Sequence, residues 1–499
     1  MTPAAPLEGL QVAGWDVVPV LGPMLVLTLA AIIALVLDLF PTGGRKGHVA
    51  LFCLFAIACA MALAALFYGV VEGRPQYAFA DAIVLDGLAL FFDLAILAAT
   101  GLTILLSLSY LEVEGIHYGE YYALLLFSAV GGLVMASSAD LLTIFLGLET
   151  LSIPLYVLAG FNRRSPWSTE AALKYFLLGS FSTGFFLYGI ALVYGQTGTT
   201  SLRALASALG PAAAGEAPLL LVGTGLLLVG FGFKVATVPF HMWTPDVYEG
   251  SPTSVTAYMA TAVKAAGFAA FLRVFFYALP ALEPSWQTLL WWLAVLTMTV
   301  GNVAALVQTN VKRLLAYSSI AHAGYVLVGF VAGGEAGTAA ALFYLVTYVF
   351  MNLGAFGLVA LLARPEPAGG AGADELTSYA GLGVKRPLLA AGMVVFMLAL
   401  GGIPPTAGFV GKFLLFKAAV DAGEVPLAVI GVLNSAVSLY YYLRVLVVMY
   451  FQQPERPFDE PVAPPAAAAV AAAAVLTLLM GVLPQPVLEL ARRSLAPLF

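Results

Sequence analysis

Apolar residues in this chain do not alternate with polar ones; they run together. From Val17 to the far end, stretches of some 18–30 nearly uncharged residues are punctuated by short segments rich in Gly, Pro, Lys, Arg, Asp and Glu. Each run is long enough to cross a hydrocarbon core, which takes about 20 helical residues. Only helices and closed barrels satisfy their backbone groups inside lipid, and runs of this length belong to helices. Taking the polar and Gly/Pro breaks as boundaries, the pattern predicts fourteen spans, at about 17–40, 48–71, 88–111, 120–137, 139–161, 170–194, 218–245, 252–279, 287–309, 313–332, 337–362, 387–418, 427–451 and 464–490. The expected fold is an all-α polytopic membrane protein. The first run follows a tail containing Glu8 and Asp16 rather than a basic segment, so it reads as a first span and not as a cleaved signal peptide.

Composition agrees. Of 499 residues, 62% are hydrophobic and 10% charged, against roughly 25% charged in an ordinary soluble domain. No separate soluble domain is visible. Cys53 and Cys59 share one apolar run without CxxC spacing, and His48, His117, His241 and His322 are scattered, which argues against a metal site or a disulfide framework. The net charge of −6 sits mostly in loops, and no charged tail is long enough to dock nucleic acid. The stretch "PEPAGGAGADEL" (365–376) is rich in glycine, but no strand precedes it; it reads as a flexible cytoplasmic loop, and the chain offers no dinucleotide fingerprint.

Loop cations set the orientation. One set of alternate loops carries Arg45, Lys46, Arg163, Arg164, Lys312, Arg313, Arg364, Lys385, Arg386 and Arg456; the other carries Arg74, Arg203, Arg492 and Arg493. Ten against four places both termini outside. A faint repeat is also present. "FLRVFFY" (Phe271–Tyr277) resembles "YLRVLVVMY" (Tyr442–Tyr450), and each follows a span interrupted by proline, "VPFHMWTP" in one case and "GGIPPTAGF" in the other. The pairing is spans seven and eight with twelve and thirteen. Two broken helices in corresponding places point to a transport path, and a displacement of five spans inverts one copy relative to the other.

Ionisable residues at mid-depth carry the candidate chemistry, because a charge in hydrocarbon costs at least ~2.5 kcal/mol and needs a partner, a cavity or a job. Glu149 lies nine residues beyond Asp140, about 14 Å at the helical rise. Lys264 lies twelve residues beyond Pro252, about 18 Å in. Lys234 precedes Pro239 by five residues and Lys412 follows Pro404 by eight, so all four can share one plane. A proline deletes an amide donor and frees carbonyls, which is tolerable in a membrane only beside protein or water; a lysine placed at such a break can exchange its proton. At an assumed ~7 Å and effective dielectric of ~20, Glu149 and a lysine attract by about 2.4 kcal/mol, so a small displacement could turn a proton holder into a proton donor.

Blander readings stand beside these. Glu149 could be a static partner of Lys174 or Lys234. Lys174 follows the loop "NRRSPWSTEAALK" closely and could snorkel to the interface, as could Lys417 at its span end. His241 and His322 could relay protons or simply bond a loosened backbone. Arg273 and Arg444 cannot usefully deprotonate and read as anchors or carboxylate ligands. Asp93, near a span start, reads as solvated at the interface. Trp243, Trp291 and Trp292 read as interfacial or packing aromatics.

"KVATVPFHMWTPDVYEGSPTSVTAYMATAVKAAGF", "VKRLLAYSSIAHAGY" and "GGIPPTAGFVGKF" resemble the antiporter-like proton-pumping subunits of respiratory complex I. The resemblance extends from about the fourth to the thirteenth span. It implies an N-terminal three-helix segment (1–119), two inverted five-helix units (120–279 and 287–451) with broken helices seven and twelve, and a C-terminal helix (452–499). By position, the family's pumping glutamate falls on Glu149, its central lysine on Lys234, its connecting lysine on Lys264 and its exit-side lysine on Lys412; Lys174 fits a secondary lysine near the glutamate, and His322 lies where relatives carry a polar relay group. The lysine rather than glutamate at 412, and the lack of a long amphipathic helix after the last span, narrow the choice among siblings.

The reading is therefore a subunit of a proton-translocating NADH:quinone oxidoreductase in a bacterial inner membrane. The resemblance implies that it has no cofactor of its own and that NADH, flavin, iron–sulfur clusters and quinone chemistry belong to partner chains. Its expected partners are lipid, antiporter-like siblings and small membrane-arm subunits. Two alternatives differ in class: a subunit of a multi-subunit sodium/proton antiporter, and a structural spacer whose lysines are frozen in ion pairs.

Overall fold

The computed structural model describes residues 17–40, 46–71, 75–209, 218–363, 374–453, 458 and 462–496. Glu8, Asp16, Arg45, Arg74, Arg364, Arg456 and positions 364–373 of the glycine-rich loop lie outside the described residues. The chain opens with α1 (Val17–Asp38), α2 (Gly47–Val71), a short hairpin of β1 (Gln76–Ala78) and β2 (Ile83–Leu85), and α3 (Gly87–Val113). Then come α4 (Glu120–Ser137), α5 (Leu141–Ala159), α6 (Pro166–Thr197), the short α7 (Leu202–Ala208), α8 (Pro218–Val235), α9 (Thr244–Gly250), α10 (Thr253–Ala260) and α11 (Ala262–Leu272), which continues as a π turn over Arg273–Ala278. The second half contains α12 (Glu283–Leu306), α13 (Val311–Ala332), α14 (Gly334–Leu361), the one-turn α15 (Leu382–Lys385), α16 (Pro387–Gly401), α17 (Ala407–Asp421) and α18 (Val425–Phe451); α19 (Pro464–Val482) and α20 (Gln485–Ser494) close the fold.

Among the described residues, thirteen helical stretches are long and apolar enough to cross a membrane. The fourteenth expected span is present in two half-length pieces, α16 and α17, separated by "IPPT". Span seven is likewise broken, between α8 and α9, where Ala236 adopts a left-handed φ of 63° that a residue with a Cβ rarely takes. Both breaks contain a cis X–Pro peptide, Val238–Pro239 and Pro404–Pro405.

Three features depart from the hydropathy reading. Span eight is interrupted at Thr261 between α10 and α11, the loop between spans two and three folds into the β1–β2 hairpin, and the last run splits at Pro484 into α19 and α20. The interruption at Thr261 falls within a continuously apolar run, so a boundary drawn on apolarity passes over it, whereas α20 carries Glu489, Arg492 and Arg493 and is far more polar than α19.

Helix ends follow local chemistry. Asp86, Asp140, Ser165 and Asn310 accept amide hydrogen bonds at the N-termini of α3, α5, α6 and α13. The α10–α11 span is buried along its whole length and α13 and α14 nearly so, whereas α1, α2, α6 and α19 turn broad apolar faces outward. The centre of the bundle is thus the α10–α11, α13 and α14 group.

Several contacts recur 170 residues apart. Asp140 bridges Ser201 and Asn310 bridges Glu375. Gly131 packs on the backbone of Gly147 and Leu151, and Gly301 on that of Tyr317 and Ala321. Arg273 donates to the carbonyl of Ala136, and Arg444 to that of Leu306. Five spans separate Asp140 from Asn310.

Candidate functional site

Lys234, Lys264 and Lys412 are all buried, at 3%, 2% and 4% exposure, and among the described residues none ends on a carboxylate. Lys234 Nζ donates to Ser152 Oγ of α5 at 2.8 Å. Lys264 Nζ donates to the Ser319 carbonyl of α13 at 2.6 Å. Lys412 Nζ donates to the carbonyls of Leu400 (3.0 Å) and Gly401 (3.3 Å) and to Ser435 Oγ (2.8 Å), with the Tyr325 ring centroid 4.6 Å away.

The helix breaks explain two of these positions. Breaking span twelve exposes the last carbonyls of α16, the negative end of its dipole, and Lys412 reaches back to them from α17. Gly402 between them has φ 83°, and a Cβ there would fall 2.9 Å from Lys412 Cδ, so the turn and the lysine both require glycine. Lys234 sits in the last turn of α8, again at a helix C-terminus. One carbonyl of that turn, Phe233, is taken by Trp243 Nε1 at 3.1 Å. Trp243 is accordingly a packing residue, stacked on Tyr175 with ring centroids 4.6 Å apart.

Glu149 is half-buried on α5 and accepts from Thr183 Oγ1 at 2.8 Å. It makes no direct ion pair with Lys234; Ser152, Ser182, Thr183 and Lys234 line a narrow crevice, in which Thr183 is bonded to Glu149 and Ser152 to Lys234. Lys174 is not beside Glu149. It binds Glu170 and Asp246 at 2.7 and 2.6 Å with its side chain 39% exposed, which is the interfacial position its closeness to the loop allowed. Asp246 also accepts from Arg313 at 2.8 Å. Burial works to raise the Asp246 carboxyl, but the Lys174 and Arg313 bonds outweigh it and hold the group below the ordinary carboxylate range.

His322 is fully enclosed: Nδ1 meets Tyr344 Oη at 2.6 Å and Nε2 meets Tyr442 Oη at 3.0 Å. Around it Tyr442 Oη pairs with Ser318 Oγ, Tyr348 Oη donates to Ser319 Oγ at 2.8 Å, and Asn352 donates to Tyr348 at 2.7 Å. This hydroxyl-lined network occupies the region between the partners of Lys264 and Lys412. Sequence reasoning named His322 but missed the tyrosines and serines around it. Their signal was the polar run "YSSIAH" and the i, i+4 pair Tyr344 and Tyr348 on one face of an apolar helix. His241 lies in the α8–α9 turn against the Pro239 backbone, apart from this network, and its Nδ1 has no hydrogen-bond partner among the described residues.

Asp93 corrects another expectation. It is 2% exposed, not solvated. The β1–β2 hairpin bridges Ser138 through Ile83, and α20 packs its Ser494 backbone on Gly87, so the N-terminal end of α3 is covered. Arg273 does bind a carboxylate, that of Asp86. Arg444 caps α12 through the Leu306 and Gln308 carbonyls.

Buried amines set at the breaks of a predominantly helical membrane fold mark an antiporter-like subunit. The family described as "NADH:quinone oxidoreductase/Mrp antiporter, TM" matches residues 138–438. NADH-quinone oxidoreductase subunit N of Trichlorobacter lovleyi is 50% identical over 95% of this chain and 96% of the relative. Subunit N 1 of Solibacter usitatus is 45% identical over 95% and 96%. A chain of respiratory complex I from Thermus thermophilus with bound aureothin superposes with a TM-score of 0.78 at 41% identity, covering 94% of this chain and 98% of that one. A chain of the Mrp complex from a Dietzia species shares the fold, with a TM-score of 0.84 at 22% identity over 97% and 98%. The chain belongs to the subunit N family of NADH-quinone oxidoreductases.

Proposed function

We propose that this chain carries protons across the bacterial inner membrane as a non-redox subunit in the membrane arm of an NADH-quinone oxidoreductase, with both termini outside. The observation that carries the reading is that three buried amines are held by neutral oxygens rather than by carboxylates. An amine so held can change its charge without breaking an ion pair, which a spacer with frozen pairs would require. Glu149 and Lys234 act as the inner charge switch across the Ser152–Thr183 crevice. Lys264 is the connection to the second half, the His322–tyrosine network the relay, and Lys412 the outlet. Driving one charge against 100 mV takes about 2.3 kcal/mol, which matches the Glu149–lysine attraction of about 2.4 kcal/mol at ~7 Å and a dielectric of ~20.

The contacts recurring 170 residues apart support two inverted five-helix units, spans four to eight and nine to thirteen. Glu149 edges an α5 face on which Leu146 and Ile153 are 60% and 56% exposed, a surface suited to lipid or a neighbouring membrane-arm subunit. NADH, flavin, iron–sulfur clusters and quinone are assigned to partner chains. The relatives favour this reading over a sodium/proton antiporter, and purification of the native assembly tests it. Co-purifying flavin- and iron–sulfur-bearing chains, with NADH-driven acidification of vesicles independent of sodium, are expected. Sodium-dependent proton exchange without redox partners would overturn it.

A further inference from the structure

Asp86 and Arg273 pair where α3, α4 and the π turn pack, and a second carboxyl lies deeper on α3. Arg273 Nη1 and Nη2 donate to Asp86 Oδ2 and Oδ1 at 2.9 and 2.7 Å, and its Nε donates to the Ala136 carbonyl at 2.5 Å. Asp86 Oδ1 also accepts from Ala89 N at 2.8 Å. Seven residues further along α3, on the same face and about 10 Å deeper at the helical rise, Asp93 is buried and its Oδ1 has no hydrogen-bond partner among the described residues. Among the described residues, the charged groups near enough to act on it electrostatically are Arg273 and Asp86. The Asp86–Arg273 pair is already neutral, so an ionised Asp93 would be an uncompensated charge in a packed interior.

We propose that Asp93 is a proton-binding site on the outer side of the first five-helix unit, switched by Arg273. While Arg273 grips Asp86, Asp93 holds a proton. When the guanidinium turns to Asp93, the Asp93 O–H bond breaks and the proton passes to the carboxylate that Arg273 has left; as Arg273 returns, Asp86 releases that proton outward and Asp93 takes up the next proton from inside the bundle. The three groups sum to zero before and after the cycle, and the return step keeps that sum only because Asp93 is reloaded as Asp86 discharges. Arg273 opens the π turn that ends span eight, a local irregularity frequent at functional positions. The site would give the first unit an outlet separate from Lys412. It rests on the reading that this chain carries protons.

The test is made in the whole oxidoreductase complex reconstituted in liposomes, scoring protons moved per NADH oxidised. Asp93→Asn mimics the protonated acid, so it should assemble at wild-type yield yet lower the proton yield, and Asp93→Glu should restore it. Infrared spectra should show a carboxylic-acid carbonyl band that Asp93→Asn removes. A wild-type proton yield in Asp93→Asn, failure of that variant to assemble, or absence of the band would overturn the proposal. Lys234→Ala in the same vesicles separates the two claims. Normal pumping there defeats the transport reading itself; lost pumping there with a normal Asp93→Asn defeats the outlet alone.

Discussion

The two halves of the bundle share a scaffold but not a chemistry. Asp140 and Asn310 start corresponding helices, so Glu149 and Ser319 occupy equivalent ninth positions beyond them, and Ser152 is matched by His322. The first half sets a half-buried carboxylate beside a hydroxyl-held lysine. The second replaces the carboxylate with a serine and surrounds an imidazole with tyrosines. A unit with a carboxylate at its edge can respond to charge outside it. A unit built of neutral donors and acceptors can pass a proton but has little to answer a distant charge with. The packing contacts recur between the two halves while the polar side chains at equivalent positions differ.

Exchanging the chemistry at the equivalent positions should break the comparison most visibly. Glu149→Gln removes the switch, and proton transfer through the chain should fall on the order of 100-fold, the scale of a lost proton-transfer group. Ser319→Ala leaves the carbonyl that holds Lys264 and deletes only the bond from Tyr348, about 1 kcal/mol, so pumping should stay within a few-fold of wild type. Equal losses in the two variants, measured as protons per NADH in liposomes, would mean that the halves do not differ in role.

Matched glycine substitutions sharpen the structural side. A Cβ on Gly131 would fall 2.2 Å from Leu151 N, and one on Gly301 would fall 2.7 Å from Ala321 N. Both neighbours are backbone and cannot yield cheaply. Alanine at either site should cost about 1–3 kcal/mol, with the larger drop in thermal midpoint at 131. A thermal midpoint unchanged by both would sink the claim that these glycines fix the α4–α5 and α12–α13 approach.

Much of this was legible in the sequence because lipid imposes a simple rule: length and apolarity gave the spans, and lysines stood out against them. The two proline-broken spans were legible for the same reason, since proline removes a donor that lipid cannot replace. The break at Thr261 was not, because no proline or glycine marks it. Nor were the partners of the lysines. Ser152 and Ser435 are ordinary helix residues until the fold brings Lys234 and Lys412 to them, and the carbonyls that hold Lys264 and Lys412 have no residue type at all. Asp93 misled because its nearness to a helix start suggests solvent, while that end of α3 is closed over by the neighbouring hairpin and by α20 from the far end of the sequence.

Lys264 joins the halves, so its loss tests the central claim most directly. Lys264→Met keeps the bulk and deletes the charge. Measured in the reconstituted complex, NADH oxidation should remain detectable while the protons moved per NADH fall. An unchanged proton yield, with the subunit present in the assembly, would contradict a path that runs through the buried amines.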